Sequence, residues 1–368
     1  MKFSGTLFFS LFGLALSVSV GATYLLKEDI VGPLFYTHFD WQAIDDPTHG
    51  RVTYVDQPTS IKQNLTHATF NSFILRADSK TVLSADGPGR NSVRIRSKNT
   101  YTTHVANYHY INSFALQPSL VARALFYIPV LCCGYMKPSA SENYPFVPNC
   151  GGVQLIPSFD VRHMPQGCGT WPAIWETTES GWPAGGETDI VEGVNDQGPN
   201  GATLHTTPGC TMPASRAQTG TSAQLNCDTS VNGNAGCGVK FPTANSYGPS
   251  FNNNGGGFYA MERSPTYIKV WFWARNDGSV PAEVKNGGSQ TNPNNWGTPV
   301  AYFPNTSCNL AQHFQANNII INLTLCGDWA GNVYSQSGCP STCVDYVNNN
   351  PSAFTNAYFN FAAIRVYQ

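Results

Sequence analysis

Gly185-Gly186-Glu187-Thr188-Asp189-Ile190-Val191-Glu192-Gly193 places three carboxylates within six residues, between glycines and among apolar or small side chains. Successive side chains on a regular strand point to opposite faces. On such a strand Glu187 and Asp189 share a face, Val191 follows them, and Glu192 points away. One extra residue, a β-bulge, returns Glu192 to the face of the other two acids, and bulges often re-aim side chains in this way beside active sites. The stretch is therefore read as a bulged strand that carries three acids on one face.

Immediately upstream stand Gly169-Thr170-Trp171-Pro172-Ala173-Ile174-Trp175 and Trp182-Pro183, which hold three of the chain's eight Trp. Trp171 and Trp175 are four apart and share a face if their segment is extended. Indoles stack on the apolar faces of pyranose rings, although at least one of the three is expected to pack in the core. Two carboxylates on one face suit retaining glycoside hydrolysis, in which one attacks the sugar carbon and the other protonates the leaving oxygen and later activates water, about 5–5.5 Å apart. The like charge of Glu187 is expected to hold Glu192 protonated to higher pH. Asp189, between them, is placed to hydrogen-bond the nucleophile. Such chemistry calls for no metal and no organic cofactor.

The run GTWPAIW followed by GETDIVEG resembles glycoside hydrolase family 16 in its laminarinase (endo-β-1,3-glucanase) branch, and is most similar to secreted laminarinases of wood-decay basidiomycete fungi. The E-x-D-x-x-E spacing is the bulged form of that family's motif. The resemblance implies Glu187 as nucleophile, Asp189 as its orienting partner and Glu192 as general acid/base. It implies an all-β jelly-roll sandwich of two curved antiparallel sheets, concanavalin A-like, with the substrate cleft on the concave sheet. It also implies a retaining endo-glucanase acting on β-1,3- or mixed β-1,3/1,4-glucan. By the same resemblance His205, in Thr203-Leu204-His205-Thr206, hydrogen-bonds near the cleavage point. Arg94 is carried over as a sugar-binding residue that could equally pair with a carboxylate on a solvated face. Trp329, in Gly327-Asp328-Trp329-Ala330-Gly331, sits in a glycine-flanked loop suited to a stacking wall beside Trp171, Trp175 and Trp182. Two rival readings share the fold: a non-catalytic β-glucan-binding protein and a transglycosylase.

The rest of the chain is consistent with a β-sandwich. Arg51–Val55, Ser72–Arg76, Ser92–Arg96, Tyr267–Trp273 and Phe361–Tyr367 alternate as strands should, and helical periodicity is nearly absent. Charged residues are 11% of 368 and the formal net charge is −2, which gives no pull towards nucleic acid or anionic membranes. Residues 1–22 read as a signal peptide, with Lys2, an apolar run from Leu7 to Val20, and small residues at Gly21 and Ala22. A secreted, extracellular monomer with no membrane contact after leader removal is expected. Sequons at Asn64, Asn305 and Asn322 are candidate glycosylation sites, Asn322 the least secure because it sits in an apolar strand-like run.

Residues 23–368 form one catalytic domain in this reading, interrupted by a 52-residue block, Asn107 to Ser158. The family-like strand Tyr101–Ala106 resumes at Phe159, where the similar proteins join the two halves through a single residue. The chain has eleven Cys; Cys132, Cys133 and Cys150 lie in the block, and the other eight suffice for four disulfides of unspecified pairing. The odd count and the broken strand favour a retained intron. A true insertion with a partner- or membrane-binding surface, and a lid over the cleft, are the other readings.

Overall fold

The structure, a computed structural model, describes residues 23–103 and 154–368. The leader and most of the block lie outside the described residues. Two large antiparallel sheets face each other. One runs in the order Gln290–Thr291, Tyr24–Ile30, Tyr358–Tyr367, Ile156–His163, Gly257–Arg263, Tyr267–Ala274 and Ala301–Pro304, with Ser72–Arg76 and Thr66–Thr69 added on Tyr358–Tyr367. The other runs Thr221–Ser222, Cys237–Lys240, Gly201–His205, Glu187–Glu192, Thr170–Thr177, Asn318–Leu325, Arg94–Ser97 and Phe39–Trp41. This is the expected all-β sandwich. The longest α-helix among the described residues is Cys343–Asn349, and none of their helices is long and apolar enough to cross a membrane.

Alternation sets what each face of the second sheet meets. Ile319, Ile321 and Leu323 join Ile174 and Ile190 in the core, packed with Phe159, Val161 and Met261 of the first sheet. The intervening Asn322 and Thr324 face an open groove on the other side. The alternation at Tyr267–Trp273 implies one buried and one exposed face, and the outer face of the first sheet departs from it. Trp271 and Trp273 are buried in a second apolar cluster with Val284 and Trp296. The Trp296 ring meets them edge-on, at 5.2 and 5.7 Å between centroids. Alternation along one strand does not disclose a covering segment that arrives from elsewhere in the chain.

The eight Cys outside the block pair as Cys168–Cys339, Cys210–Cys308, Cys227–Cys237 and Cys326–Cys343. Of the sequons, Asn64 and Asn305 are exposed. Asn322 is only 6% exposed; its side chain accepts from Trp175 Nε1 at 2.7 Å and donates to the Tyr54 hydroxyl at 3.3 Å. A glycan would have to displace both contacts and fill the groove, so Asn322 is corrected from a glycosylation site to a groove residue. Mass spectrometry of the protein secreted from a glycosylating host should find glycans at Asn64 and Asn305 and an unmodified Asn322.

The boundary of the block also moves. Ile156, Pro157 and Ser158, assigned to it from sequence, are ladder residues opposite Tyr367, Val366 and Arg365. On the other side of the block, Tyr101 exchanges backbone bonds with Asn317 at 2.8 and 2.9 Å. Both flanks meet at one buried residue: Arg263 Nη2 donates to Tyr101 O at 2.8 Å, and the Arg263 backbone pairs with Leu155. Strand residues are held by ladder bonds and by the side chains they bury. If Asn107–Ser158 is replaced by one Val, Val105 and Ala106 reach the places of Ile156 and Pro157. That shortened chain should melt at least as high, secrete better and keep full activity. Misfolding of the shortened chain, together with transcripts that uniformly retain the segment, would mean a true insertion.

Candidate active site

Strand Glu187–Glu192 lies between Thr170–Thr177 and Gly201–His205. Its register slips on both sides after Asp189: Val191 pairs with Ile174, and Glu192 pairs with Ala173 and Gly201. The bulge lets Ile190 and Val191, consecutive in sequence, both reach full burial. Leaving Val191 in the groove would forgo about 1.5–3 kcal/mol of apolar burial. Glu187, Asp189 and Glu192 all line the groove as a result, as the sequence reading expects.

The tryptophans do more than wall the groove. Trp182 Nε1 donates to Glu187 Oε2 at 2.8 Å, and Trp171 Nε1 donates to Glu192 Oε1 at 3.0 Å. Trp329 stands edge-on to Trp171 at 5.7 Å, and Trp182 and Trp329 are 42% and 38% exposed. Trp171, Trp175 and Trp182 all line the groove, so the expectation that one of them packs in the core is corrected. Trp175 is held from two sides, by its bond to Asn322 and by the Arg94 guanidinium 5.0 Å from its ring centroid. Arg94 lines the groove yet is itself engaged, donating to Gln42 Oε1 and Glu179 Oε1 at 2.8 Å each. The carboxylate-paired alternative for Arg94 thus describes its contacts, though Arg94 is buried and Glu179 half-buried rather than on a solvated face.

His205 sits opposite Glu187 on the neighbouring strand. Its Nε2 lies 3.3 Å from Asp189 Oδ2 and its Nδ1 lies 2.9 Å from Asn234 Oδ1. An oxygen faces each ring nitrogen, an arrangement that suits the imidazolium, which donates from both. Burial alone lowers its pKa, but the hydrogen bond and charge of Asp189, then Glu187 and Glu192, lift it to about 10. Burial, then the charges of Glu187 and Glu192, push Asp189 up against the opposing effect of His205. Glu192 rises to about 7. Its main cause is desolvation; the Glu187 charge is a minor contributor, and His205 and the Trp171 hydrogen bond work against it. The expected push from the Glu187 charge thus has the expected direction, with desolvation well ahead of it.

Ligand atoms of Glu187, Asp189 and His205 lie within 4.8 Å of one another, a spacing that could hold a cation. A protonated imidazole offers no lone pair, so a metal there would have to displace the proton from His205. Sequence reasoning missed Glu179, Asn234 and Asn322 as groove-lining residues, and Gln42 as the amide that bonds both Arg94 and Glu179. Their only signal is polarity at positions whose partners lie far off in the chain.

A family model described as XgeA-like, catalytic GH16 domain matches residues 39–112 and 153–367, skipping the middle of the block. The chain is 39% identical to a probable glycosidase of Schizosaccharomyces pombe over 94% of its own length and 70% of that protein. It is 37% identical to a probable endo-1,3(4)-β-glucanase of Aspergillus fumigatus, over 96% of its own length, and spans about half (47%) of that relative. Among solved structures it is similar to laminarinase 16A of Phanerochaete chrysosporium, determined with 6-O-glucosyl-laminaritriose in donor and acceptor sites. That similarity is 54% identity over 94% of this chain and 100% of that one, with a TM-score of 0.80. It is also similar to an elongating family 16 β-1,3-glucosyltransferase, at 32% identity over 94% of this chain and 100% of that one, with a TM-score of 0.75. The match across both flanks of the block, together with these relatives, establishes that the chain belongs to glycoside hydrolase family 16.

Proposed function

We propose that this protein is a secreted, monomeric retaining endo-glucanase that hydrolyses β-1,3- or mixed β-1,3/1,4-glucan by double displacement. The observation that carries the reading is the bulge, which turns Glu187 and Glu192 into one tryptophan-walled groove. Glu187, steadied by the Trp182 N–H, attacks the anomeric carbon. Glu192, kept protonated by desolvation, delivers its proton to the leaving oxygen and then activates water. Asp189 and His205 form a buried ion pair beside the nucleophile; the pair fixes the polarity of the groove around the developing charge. Four disulfides among the described residues fit an oxidising, extracellular compartment. The likeness to an elongating glucosyltransferase supports a second reading, in which a sugar hydroxyl replaces water in the same second step.

Digestion of laminarin and lichenan, with sizing of the products, separates these readings. Hydrolysis gives a falling ladder of oligosaccharides, and transfer gives products longer than the substrate. Glu187→Gln should abolish turnover and leave oligosaccharide binding largely intact. Glu192→Gln should be nearly inactive on laminarin and regain the glycosylation step alone on an aryl glycoside with a good leaving group. Near wild-type turnover of laminarin by either variant would refute the assignment.

The elevated Glu192 also has a sign in stability. A carboxyl whose folded pKa is raised from 4.5 to about 7 carries no penalty below pH 4.5 and the full penalty above pH 7. It therefore erodes stability as pH rises through that window. Glu192→Gln removes the ionisable group. Its melting temperature should be close to that of wild type at pH 4 and above it at pH 8, while wild-type kcat/KM declines as pH rises through about 7. Melting curves that stay parallel from pH 4 to pH 8 would contradict this account of the site.

A further inference from the structure

The bulge that aims Glu192 leaves backbone groups without ladder partners, and one side chain satisfies them. Asn200, fully buried, accepts from Glu192 N at 2.9 Å and donates through Nδ2 to Ile190 O at 2.9 Å. Its amide therefore spans the bulged residues from both sides. The orientation is fixed by chemistry, because a backbone N–H can only donate and a carbonyl oxygen can only accept. Asn200 is itself held in place: its N–H donates to Ser246 Oγ at 3.1 Å, and its carbonyl accepts from Phe241 N at 2.9 Å. It also immediately precedes Gly201, the register partner of Glu192.

We propose that Asn200 is a positioning residue that locks the bulge and so fixes the aim of Glu192 at the leaving oxygen. This rests on the reading of Glu192 as general acid/base. The alternative conformation is well defined. If the bulge relaxes to regular alternation, Glu192 turns toward the core and Val191 toward the groove. The polar cost of an open bulge, two unpaired buried backbone groups, falls on the protein if the Asn200 amide is removed. Asn200 touches no reacting atom; it acts through the backbone of Ile190 and Glu192.

A loss of acid aim has a signature that general destabilisation lacks. Natural linkages need the proton from Glu192, whereas a dinitrophenyl leaving group does not. For Asn200→Ala, kcat/KM on laminarin should fall about 10- to 100-fold, while kcat/KM on 2,4-dinitrophenyl β-laminaribioside, which reports glycosylation alone, stays within about 3-fold of wild type. On the dinitrophenyl substrate kcat and KM should fall together, because the same Glu192 must still activate water in the second step. Asn200→Asp, near-isosteric, keeps the acceptor for Glu192 N and can donate to Ile190 O only when protonated. Its laminarin activity should therefore recover towards wild type at low pH, and it serves as the test if Asn200→Ala does not fold. Equal losses on both substrates, or no loss on either, would overturn the role of Asn200. Glu192→Gln is run beside them. If it shows the split between substrates and the Asn200 variants do not, the inference fails alone; if it too lacks the split, the acid/base reading fails with it.

Discussion

A strand can show only alternate side chains to one face, and this site needs three acids on one face from positions 187, 189 and 192. The geometry has a single remedy, an extra residue, and the sequence supplies the means. Ile190 and Val191 are both apolar, and both bury completely when the bulge forms. Core packing thus drives the distortion that chemistry requires. The register slips against both neighbouring strands, which places the bulge in the middle of a sheet and confines it by ladders on each side.

The electrostatics follow from burial more than from mutual repulsion. Three carboxyls and one imidazole share a groove walled by indoles, and desolvation is the leading influence on Asp189, Glu192 and His205 alike. Repulsion between Glu187 and Glu192 acts in the same direction on Glu192 but ranks last among its causes. The imidazolium of His205 relieves part of the stress by facing Asp189. Indole N–H groups give one oxygen of Glu187 and one of Glu192 a directed partner without adding a second formal charge. In a low-dielectric groove, fixed dipoles of this kind stabilise charge that develops during reaction.

Much of this was legible in the sequence, because it depends on period and local spacing. The bulge, the shared face of Trp171 and Trp175, the strand pattern and the even set of eight Cys all follow from residues close together in the chain. What was not legible depends on contacts between distant segments. The sequon at Asn322 is a local chemical pattern, but its burial is decided by register against Thr170–Thr177 and by the Trp175 indole. Trp271 and Trp273 read as a half-exposed stripe until Trp296 covers them. Asn200 gives no sign in sequence that its amide will bridge a bulge eight to ten residues upstream.

Behind the strand Glu187–Glu192 the sandwich carries a second set of charges. Glu176 and Arg263 are both fully interior, 3.3 Å apart, and burial raises the Glu176 pKa to about 7. A buried ion pair is a weak source of stability, but removing one partner leaves an uncompensated charge. Its placement suggests what it secures. Glu176 is the register partner of Thr188, between Glu187 and Asp189, and Arg263 also holds Gln315 O and Tyr101 O. Gln315 N in turn donates to Gly185 O at 3.0 Å, just ahead of Glu187. At Gly186, φ is +73° and a Cβ would lie 2.6 Å from Phe314, so this turn is seated against the same segment. The Glu187 end of the strand is thus tied to the core by Arg263 and its partners, and the Glu192 end by Asn200. Between two fixed ends, the bulge has little freedom to migrate, and the spacing between Glu187 and Glu192 becomes a property of the sandwich rather than of either side chain.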